Sequence, residues 1–229
     1  RSFDDPAFSS SPELTGSDLH FRPQRNTFLP VVLFLATCAS TFWVGATQWA
    51  PLEEEFLSNS AAIWHTVASN WRTGLQYMVA VLAILLTHEM GHFLQTVRHR
   101  IPASYPLCIT IPFNAIGTMG AVIGMDGTRA DRRQIFDIGI AGPLAGLVVA
   151  IPVLWWGIVD LDLSRPPAVD EFQLYLPWIG QMMLERAHPQ WADVEWIGLS
   201  QLNAYFMAGW VGMLITGLNM LPISELDGG

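Results

Sequence analysis

The sequence predicts an all-α polytopic membrane protein with about four transmembrane helices and a small re-entrant β-hairpin. Three observations favour this fold class. Only 14% of the 229 residues are charged and 51% are hydrophobic, whereas about a quarter of the residues in a soluble domain are charged. Four stretches approach the roughly 20 apolar residues that a spanning helix needs. A broken apolar stretch between two of them is too short to span and is typical of a re-entrant hairpin.

The four predicted spans divide the chain into a tail and a core. They run from Phe28 to Ala50, Leu75 to Val97, Ile135 to Val159 and Leu202 to Leu221. Residues 1–27 are polar and contain prolines, so we expect them to form a cytoplasmic tail. Residues 28–229 are the membrane core, which we expect to be truncated because the chain begins at Arg1 and stops at Gly229.

The arginines predict the orientation of the spans, because short cytoplasmic loops retain positive charge. All eleven basic residues are Arg, and eight of them lie in the tail or in the 98–134 loop. We therefore expect a multi-pass protein of the cell inner membrane, with the N-terminal tail and the 98–134 loop in the cytoplasm. The net charge of -9 and the absence of a basic surface exclude a nucleic-acid partner.

The hairpin is predicted between the second and third spans. Residues 109–126 read ITIPFNAIGTMGAVIGMD, with β-branched residues, one proline and three glycines. Such a composition favours short strands joined by tight turns. We expect the hairpin to pack against the helices at membrane depth.

The second span contains the sequence HEMGH at residues 88–92. Insertion scales assign a cost of roughly 2.5–3.5 kcal/mol to a charged residue at the centre of a spanning helix. Ionisable groups in such a helix therefore usually mark a functional site. Histidines at positions i and i+4 project from one helix face, and His88 and His92 can therefore bind one Zn²⁺. Glu89 is then placed to act as the general base of hydrolysis.

A third ligand is expected, since a catalytic zinc commonly has three protein ligands and one open position. The best candidate is Asp227, in the sequence NMLPISELDGG at residues 219–229. Pro222 should end the fourth span, and the following glycines allow an irregular backbone that can turn a carboxylate inward. The fourth span also runs inward, so its end reaches the level of the histidines.

These motifs together resemble the site-2 protease family of intramembrane zinc metalloproteases. HEMGH, the hairpin, FDIGIAGPLAG and AGWVGMLITGLNMLPISELDGG occur in the family's order over residues 75–229. The resemblance implies His88, His92 and Asp227 as zinc ligands and Glu89 as the catalytic base. It also implies that Asn219 binds the substrate or stabilises the oxyanion. The hairpin would present an edge strand to an extended substrate, and its candidate substrate-binding residues are Ile111, Phe113, Gly117 and Thr118. On this interpretation the chain is truncated directly after the third-ligand motif.

Three functions are compatible with these residues. The favoured one is a zinc-dependent endopeptidase that cleaves membrane-spanning proteins within the lipid bilayer, with unknown oligomeric state. A zinc-dependent enzyme acting on lipidated or C-terminal peptides would not be expected to combine HExxH with the distant Asn219 and Asp227 motif. A zinc-binding membrane scaffold without protease activity would need neither the base nor the ligands. Zinc content combined with a Glu89-dependent cleavage assay separates the three.

Overall fold

The structure is a computed structural model, and its elements are six α-helices, two short 3₁₀ turns and two small sheets among the residues it describes. The described residues are 27–50, 60–104, 106–112, 114–124, 130–164, 167 and 171–220. The helices are α1 (Phe28–Ala46), α2 (Ser60–Ser69), α3 (Trp71–His99), α4 (Arg132–Val159), α5 (Trp178–Ala187) and α6 (Ala204–Asn219). The strands are β1 (Leu107–Ile111), β2 (Gly117–Val122), β3 (Gln173–Tyr175) and β4 (Trp196–Gly198). The predicted tail lies outside the described residues, apart from Thr27.

Three of the helices are long and apolar enough to cross a membrane, namely α1, α3 and α4. They correspond to the first three predicted spans, and they support a membrane protein. The prediction of four transmembrane helices is not confirmed, because α6 has 16 residues and spans only about 24 Å at 1.5 Å per residue. Asn203 caps the N-terminus of α6 by accepting a hydrogen bond from the backbone N–H of Phe206. The helix therefore begins after Leu202 and Asn203, the first two residues of the predicted span.

Half of the residues of helix α6 are buried in the described bundle. Its residues Phe206, Ala208 and Val211 are almost completely buried, and it packs against α3 and α4. One apolar cluster joins α6 to α1 and α3 through Val44, Tyr77 and Val81. Because α3, α4 and α6 are in mutual contact, side chains from all three can meet in the interior of the bundle.

The predicted hairpin is confirmed. Strands β1 and β2 pair antiparallel, with Leu107 opposite Val122 and Ile111 opposite Gly117, and the register shifts between Ile109 and Thr110. Such a shift marks a β-bulge, which bends a strand and increases its local twist. Gly117 begins β2 with φ of +84°, a backbone conformation that glycine adopts without steric cost.

Polar side chains of the helices hold this hairpin in place. Ser40 Oγ donates a hydrogen bond to the Gly117 carbonyl at 2.7 Å, and the hydroxyl oxygens of Thr37 and Thr110 lie 2.7 Å apart. The hydroxyl of Tyr77 on α3 donates to the Ile116 carbonyl at 2.8 Å. Buried polar groups of the turn are thereby satisfied, and the hairpin is attached to both α1 and α3.

A small cap covers the far end of α4. Strands β3 and β4 pair antiparallel, and α5 follows β3. Buried apolar side chains join this cap to the C-terminal end of α4 and the start of α6, namely Leu154, Ile158, Leu161, Leu176, Leu184, Ile197 and Phe206. The histidine motif packs against the N-terminal half of α4. The cap therefore contacts the helices at a distance from the motif.

Candidate metal centre and active site

The two motif histidines lie on the face of α3 that packs against α4. His88 and His92 are 3% and 7% exposed, and their rings are in edge-to-face contact with centroids 4.9 Å apart. His92 lies seven positions before His99, the last residue of α3, which places it about 10 Å along the helix axis from that end. The histidines therefore lie inside the apolar helix and not in a solvated loop.

The ring of His92 is oriented by a carbonyl group of α4. Its Nδ1 lies 2.8 Å from the carbonyl oxygen of Ile138. A carbonyl oxygen can only accept a hydrogen bond, so Nδ1 must carry the proton. In neutral His92 this leaves the Nε2 lone pair unprotonated, the usual arrangement of a histidine that binds a metal through Nε2.

The two Nε2 atoms face each other across a short distance. They lie 3.1 Å apart, and two nitrogens bonded to one tetrahedral Zn²⁺ at about 2.0 Å should be separated by about 3.3 Å. The histidine pair therefore fits zinc with little adjustment. Among the described residues no set of three His, Cys, Asp or Glu side chains could hold a metal. The candidate third ligand, Asp227, lies outside the described residues.

Glu89 lies beside the histidines and is equally buried. It is 4% exposed. Burial raises the pKa of the Cys108 thiol on β1, and the charges of Glu89 and Cys38 raise this pKa further. A buried carboxylate one position from a candidate metal ligand is a candidate general base.

Glycines of the two helices make room for the imidazole rings. A Cβ atom on Gly142 would overlap the ring of His92, and a Cβ atom on Gly91 would overlap the Ala141 backbone. At Gly146 a Cβ atom would lie 3.2 Å from His88 Nδ1. The small residues of α4 therefore allow close packing, and the groups that they pack against include the two histidines.

Asn219 reaches the histidine pair from the last turn of α6. Its Nδ2 lies 3.3 Å from His88 Nε2, although 131 residues separate the two in sequence. Of the residues predicted from the second motif, this is the one that the described structure brings to the histidines. An amide side chain in this position can donate a hydrogen bond to a group bound beside the metal.

The candidate substrate-binding residues of the hairpin lie in different environments. Ile111 is half-buried at the end of β1, whereas Gly117 is buried against α1 near Thr41. Thr118 is 1% exposed, and its hydroxyl donates to the Ile109 carbonyl at 2.9 Å. Phe113 lies outside the described residues. The Thr118 hydroxyl thus stabilises the hairpin itself.

Sequence reasoning missed three contributors to the site. These are the Ile138 carbonyl that orients His92, Gly142 that admits its ring, and Tyr77 that holds the hairpin. A main-chain carbonyl has no sequence signal, since any residue provides one. The glycine could have been found from the small residues at four-residue spacing in the third span, which indicate close helix contact.

An HExxH helix whose two histidines converge on one point, within an apolar helical bundle, defines the zinc metallopeptidase class. Comparison of the sequence with known protein families identifies the family. A family model for Peptidase family M50, the site-2 protease family, matches residues 76–229. The chain belongs to this family, and the predictions of a metalloprotease and of Zn²⁺ as its cofactor are confirmed at the level of the family.

Plant proteins are among the curated relatives. Probable zinc metalloprotease EGY1, chloroplastic, of Arabidopsis thaliana is 34% identical over 65% of this chain and 27% of its own length. The protein of the same name from Oryza sativa subsp. japonica is 32% identical over 69% of this chain and 27% of its own. Probable zinc metalloprotease EGY2, chloroplastic, of Arabidopsis thaliana is 26% identical over 82% of this chain and 34% of its own.

These relatives also delimit what can be carried over. The chain spans about a quarter of the length of the first two relatives it matches, and no solved structure matches it. The relatives are named chloroplastic, so they do not support the expected cell inner membrane. Membership of the family and the membrane character of the helices are therefore the established results.

Proposed function

We propose that this chain carries the catalytic centre of a zinc-dependent endopeptidase that hydrolyses membrane-spanning proteins within the lipid bilayer. The observation that carries the proposal is the 3.1 Å separation of the His88 and His92 Nε2 atoms beside the buried Glu89. Three ionisable side chains in one turn of an apolar helix are costly in a membrane unless they have a function.

The proposed metal ligands are His88, His92 and Asp227. When bound, Zn²⁺ would lower the pKa of a water molecule to about 7 and polarise the peptide carbonyl. Asp227 would complete the ligand set as the third protein group. The Nδ1–H of His92, bonded to Ile138, would keep the imidazole in the tautomer that ligation requires.

Glu89 would move the proton. Its carboxylate would take a proton from the attacking water as general base and give it to the nitrogen of the leaving amine as general acid. Asn219, which lies within 3.3 Å of His88 Nε2, would donate a hydrogen bond to the carbonyl oxygen as negative charge develops there. These roles use side chains from two helices that are packed together.

The hairpin would present the substrate to these groups. A helical substrate hides its carbonyls in its own hydrogen bonds, so it must unwind locally before one can be attacked. The unwound segment could then add to the edge of the hairpin, where main-chain hydrogen bonds replace those of the helix. Ile111, Phe113, Gly117 and Thr118 are the candidate residues for this contact.

The proposed place of reaction is the bilayer. Around the histidines, the surface of α3 exposes Leu86, Met90 and Leu94, which suits lipid better than water. We also propose that the polar tail and the 98–134 loop share one side of the membrane, as the arginines predict. Cleavage of the tail and of the loop by a protease added to that side alone would support this orientation. Cleavage of the two segments from opposite sides would refute it.

Substitution of Glu89 tests the proposed activity. In the full-length protein, Glu89→Gln should reduce cleavage of a membrane-spanning substrate by about 10²–10⁴-fold, the usual cost of losing a general base. Zinc content by atomic spectroscopy should be unchanged, because the ligands remain. Glu185→Gln, which neutralises an exposed carboxylate of α5, is the matched control.

Two outcomes would contradict the proposal. Near-normal turnover in Glu89→Gln would remove the base from the mechanism. A wild-type protein that binds zinc stoichiometrically and cleaves no membrane-spanning peptide would favour the scaffold function instead.

A further inference from the structure

A cleft opens between α1, α3 and β1 on the side of α3 away from α4. Its walls are formed mainly by Pro30, Val31 and Phe34 of α1, by Leu86 of α3 and by Cys108 of β1. Its volume is about 400 Å³, within the range of about 300–1,000 Å³ that ligand pockets occupy. None of the described residues that line it is charged.

The cleft results from how α1 packs. Near its C-terminal end, α1 touches α3 closely, since a Cβ atom on Gly45 would lie 2.8 Å from the Tyr77 side chain. Further along α1, the hairpin occupies the space beside the helix, with Thr110 bonded to Thr37. Among the described residues, part of the N-terminal half of α1 is therefore left exposed, and the cleft is open at Val31, which is 54% exposed.

One end of the cleft adjoins the proposed catalytic base. Leu86 lies three residues before Glu89, about 4.5 Å along the helix axis, and such neighbours share one side of a helix. Cys108 also lines the cleft, and the charge of Glu89 is one cause of the raised pKa of its thiol. A group in the cleft would thus lie next to the bond on which Glu89 acts.

We propose that this cleft is a specificity subsite that binds a bulky apolar side chain of the peptide substrate, next to the cleaved bond. The proposal rests on the proposed protease function. Among the described residues β1 pairs only with β2, so its other edge can accept an extended peptide. Side chains of such a peptide alternate between the two faces of the sheet, and every second one would point toward the face on which Cys108 lies.

The experiment measures cleavage of lysine-flanked membrane-spanning peptides that carry a central Asn-Gly pair. Each peptide places Ala, Leu or Trp at one position within four residues of that pair. For the full-length wild-type protein, kcat/KM at one position should be higher for Leu and Trp than for Ala. Leu86→Phe should reduce this preference about tenfold, because it adds three carbon atoms to the wall of the cleft and a single methylene in an apolar pocket already changes discrimination by about 10–200-fold.

Leu75→Phe is the matched control. Leu75 is 41% exposed and Leu86 is 39% exposed, both lie on α3, and Leu75 does not line the cleft. The control should keep the wild-type preference. If Leu86→Phe retains the same side-chain preference as Leu75→Phe while both cleave the peptides, the subsite proposal is overturned and the protease function stands.

A binding measurement separates failure of the subsite from failure of the protease function. N-phenylmaleimide should modify residue 31 in the Val31→Cys variant of the full-length protein, as read by peptide mass spectrometry, because Val31 lines the cleft and is 54% exposed. The Trp peptide should slow this modification more than the Ala peptide, and Leu86→Phe should abolish the difference. That result supports the subsite even if no peptide is cleaved. Equal slowing by both peptides, or complete protection by phospholipid alone, would overturn it and assign the cleft to lipid.

Discussion

The two ends of helix α4 are packed in opposite ways. Its N-terminal half, around Ile138 and Gly142, packs against the imidazole rings of α3. Its C-terminal end, around Leu154 and Ile158, packs against apolar side chains of the cap. One helix thus borders a polar interior at one end and an apolar interior at the other.

This difference separates function from stability along a single helix. Buried polar groups lower stability unless each has a hydrogen-bond partner. The polar groups at the histidine end are therefore expected to serve zinc binding and catalysis. Among the described residues, the fully buried side chains at the cap end are apolar, and burial of such groups stabilises a fold. Substitutions at the first end should therefore change zinc binding and cleavage, and substitutions at the second should change the free energy of unfolding.

The largest effect is expected for Asp227→Ala, which would leave a two-histidine site. Zinc affinity should fall by more than the about 10–100-fold that loss of an outer-shell partner costs, and cleavage should be lost. The melting temperature of the metal-free protein should stay unchanged, because Asp227 lies beyond Pro222 and outside the apolar span. Zinc titration on the full-length protein is the measurement, with Asp160→Ala at the exposed end of α4 as control. Full zinc occupancy and activity in Asp227→Ala would mean that another residue completes the ligand set.

At the cap, Leu184→Ala should lower the free energy of unfolding by about 2–5 kcal/mol, the usual cost of removing a buried leucine. Leu184 is completely buried in the cluster shared with α4. Thermal unfolding in detergent gives the change, and Met182→Ala, which alters an exposed residue of the same helix, should be nearly neutral. Zinc content should remain that of the wild type. Loss of zinc in Leu184→Ala at temperatures where the protein is folded would show that the two ends of α4 are not independent.

Gly142→Ala should act at the opposite end. Its methyl group would overlap the His92 ring, so the ring must rotate and weaken its bond to Ile138. An orienting partner of this kind is worth about 10–100-fold in metal affinity, which zinc competition with a chelator can measure. Gly217→Ala is the matched control, because no atom lies within 4 Å of a Cβ added there. Equal zinc affinity in the two variants would argue against the role assigned to Gly142.

The comparison also shows what the sequence could predict. HExxH predicted the pairing of His88 and His92, because the helix period alone brings positions i and i+4 together. The three long apolar spans and the hairpin followed from hydropathy and from turn residues. Asn219 was found only through the family resemblance, since no local pattern predicts contact across 131 residues.

Other features had no usable signal. The acidic, proline-containing sequence of residues 160–200 favours a loop with one short helix, whereas the cap has two paired strands of three residues each, too few for a periodic pattern. Trp49 lies at the end of the first predicted span, a position typical of tryptophans at the membrane interface. The structure instead buries it against Tyr77, with ring centroids 4.8 Å apart. In both cases tertiary contacts decide the outcome, and composition does not.

The smallest effect is expected for the hairpin. Its attachment to α3 combines a buried aromatic ring with a polar contact. Tyr77 is completely buried, as a core residue would be, but its hydroxyl donates to the Ile116 carbonyl at the turn of the hairpin. Tyr77→Phe keeps the ring and leaves that carbonyl without its donor, at a cost of about 1–3 kcal/mol. If the hairpin binds substrate equally in the ground and transition states, KM should rise by a few-fold to about tenfold with kcat unchanged.

Zinc affinity should not change in Tyr77→Phe, since the hydroxyl contacts neither histidine, and this distinguishes a positioning role from damage to the metal centre. Tyr205→Phe removes the hydroxyl of a half-buried tyrosine on α6 and serves as the matched control, with steady-state kinetics as the measurement. A fall in kcat with KM unchanged would place the effect on the catalytic groups instead. Identical kinetics in the two variants would mean that the hairpin is held by α1 alone, through Ser40 and Thr37.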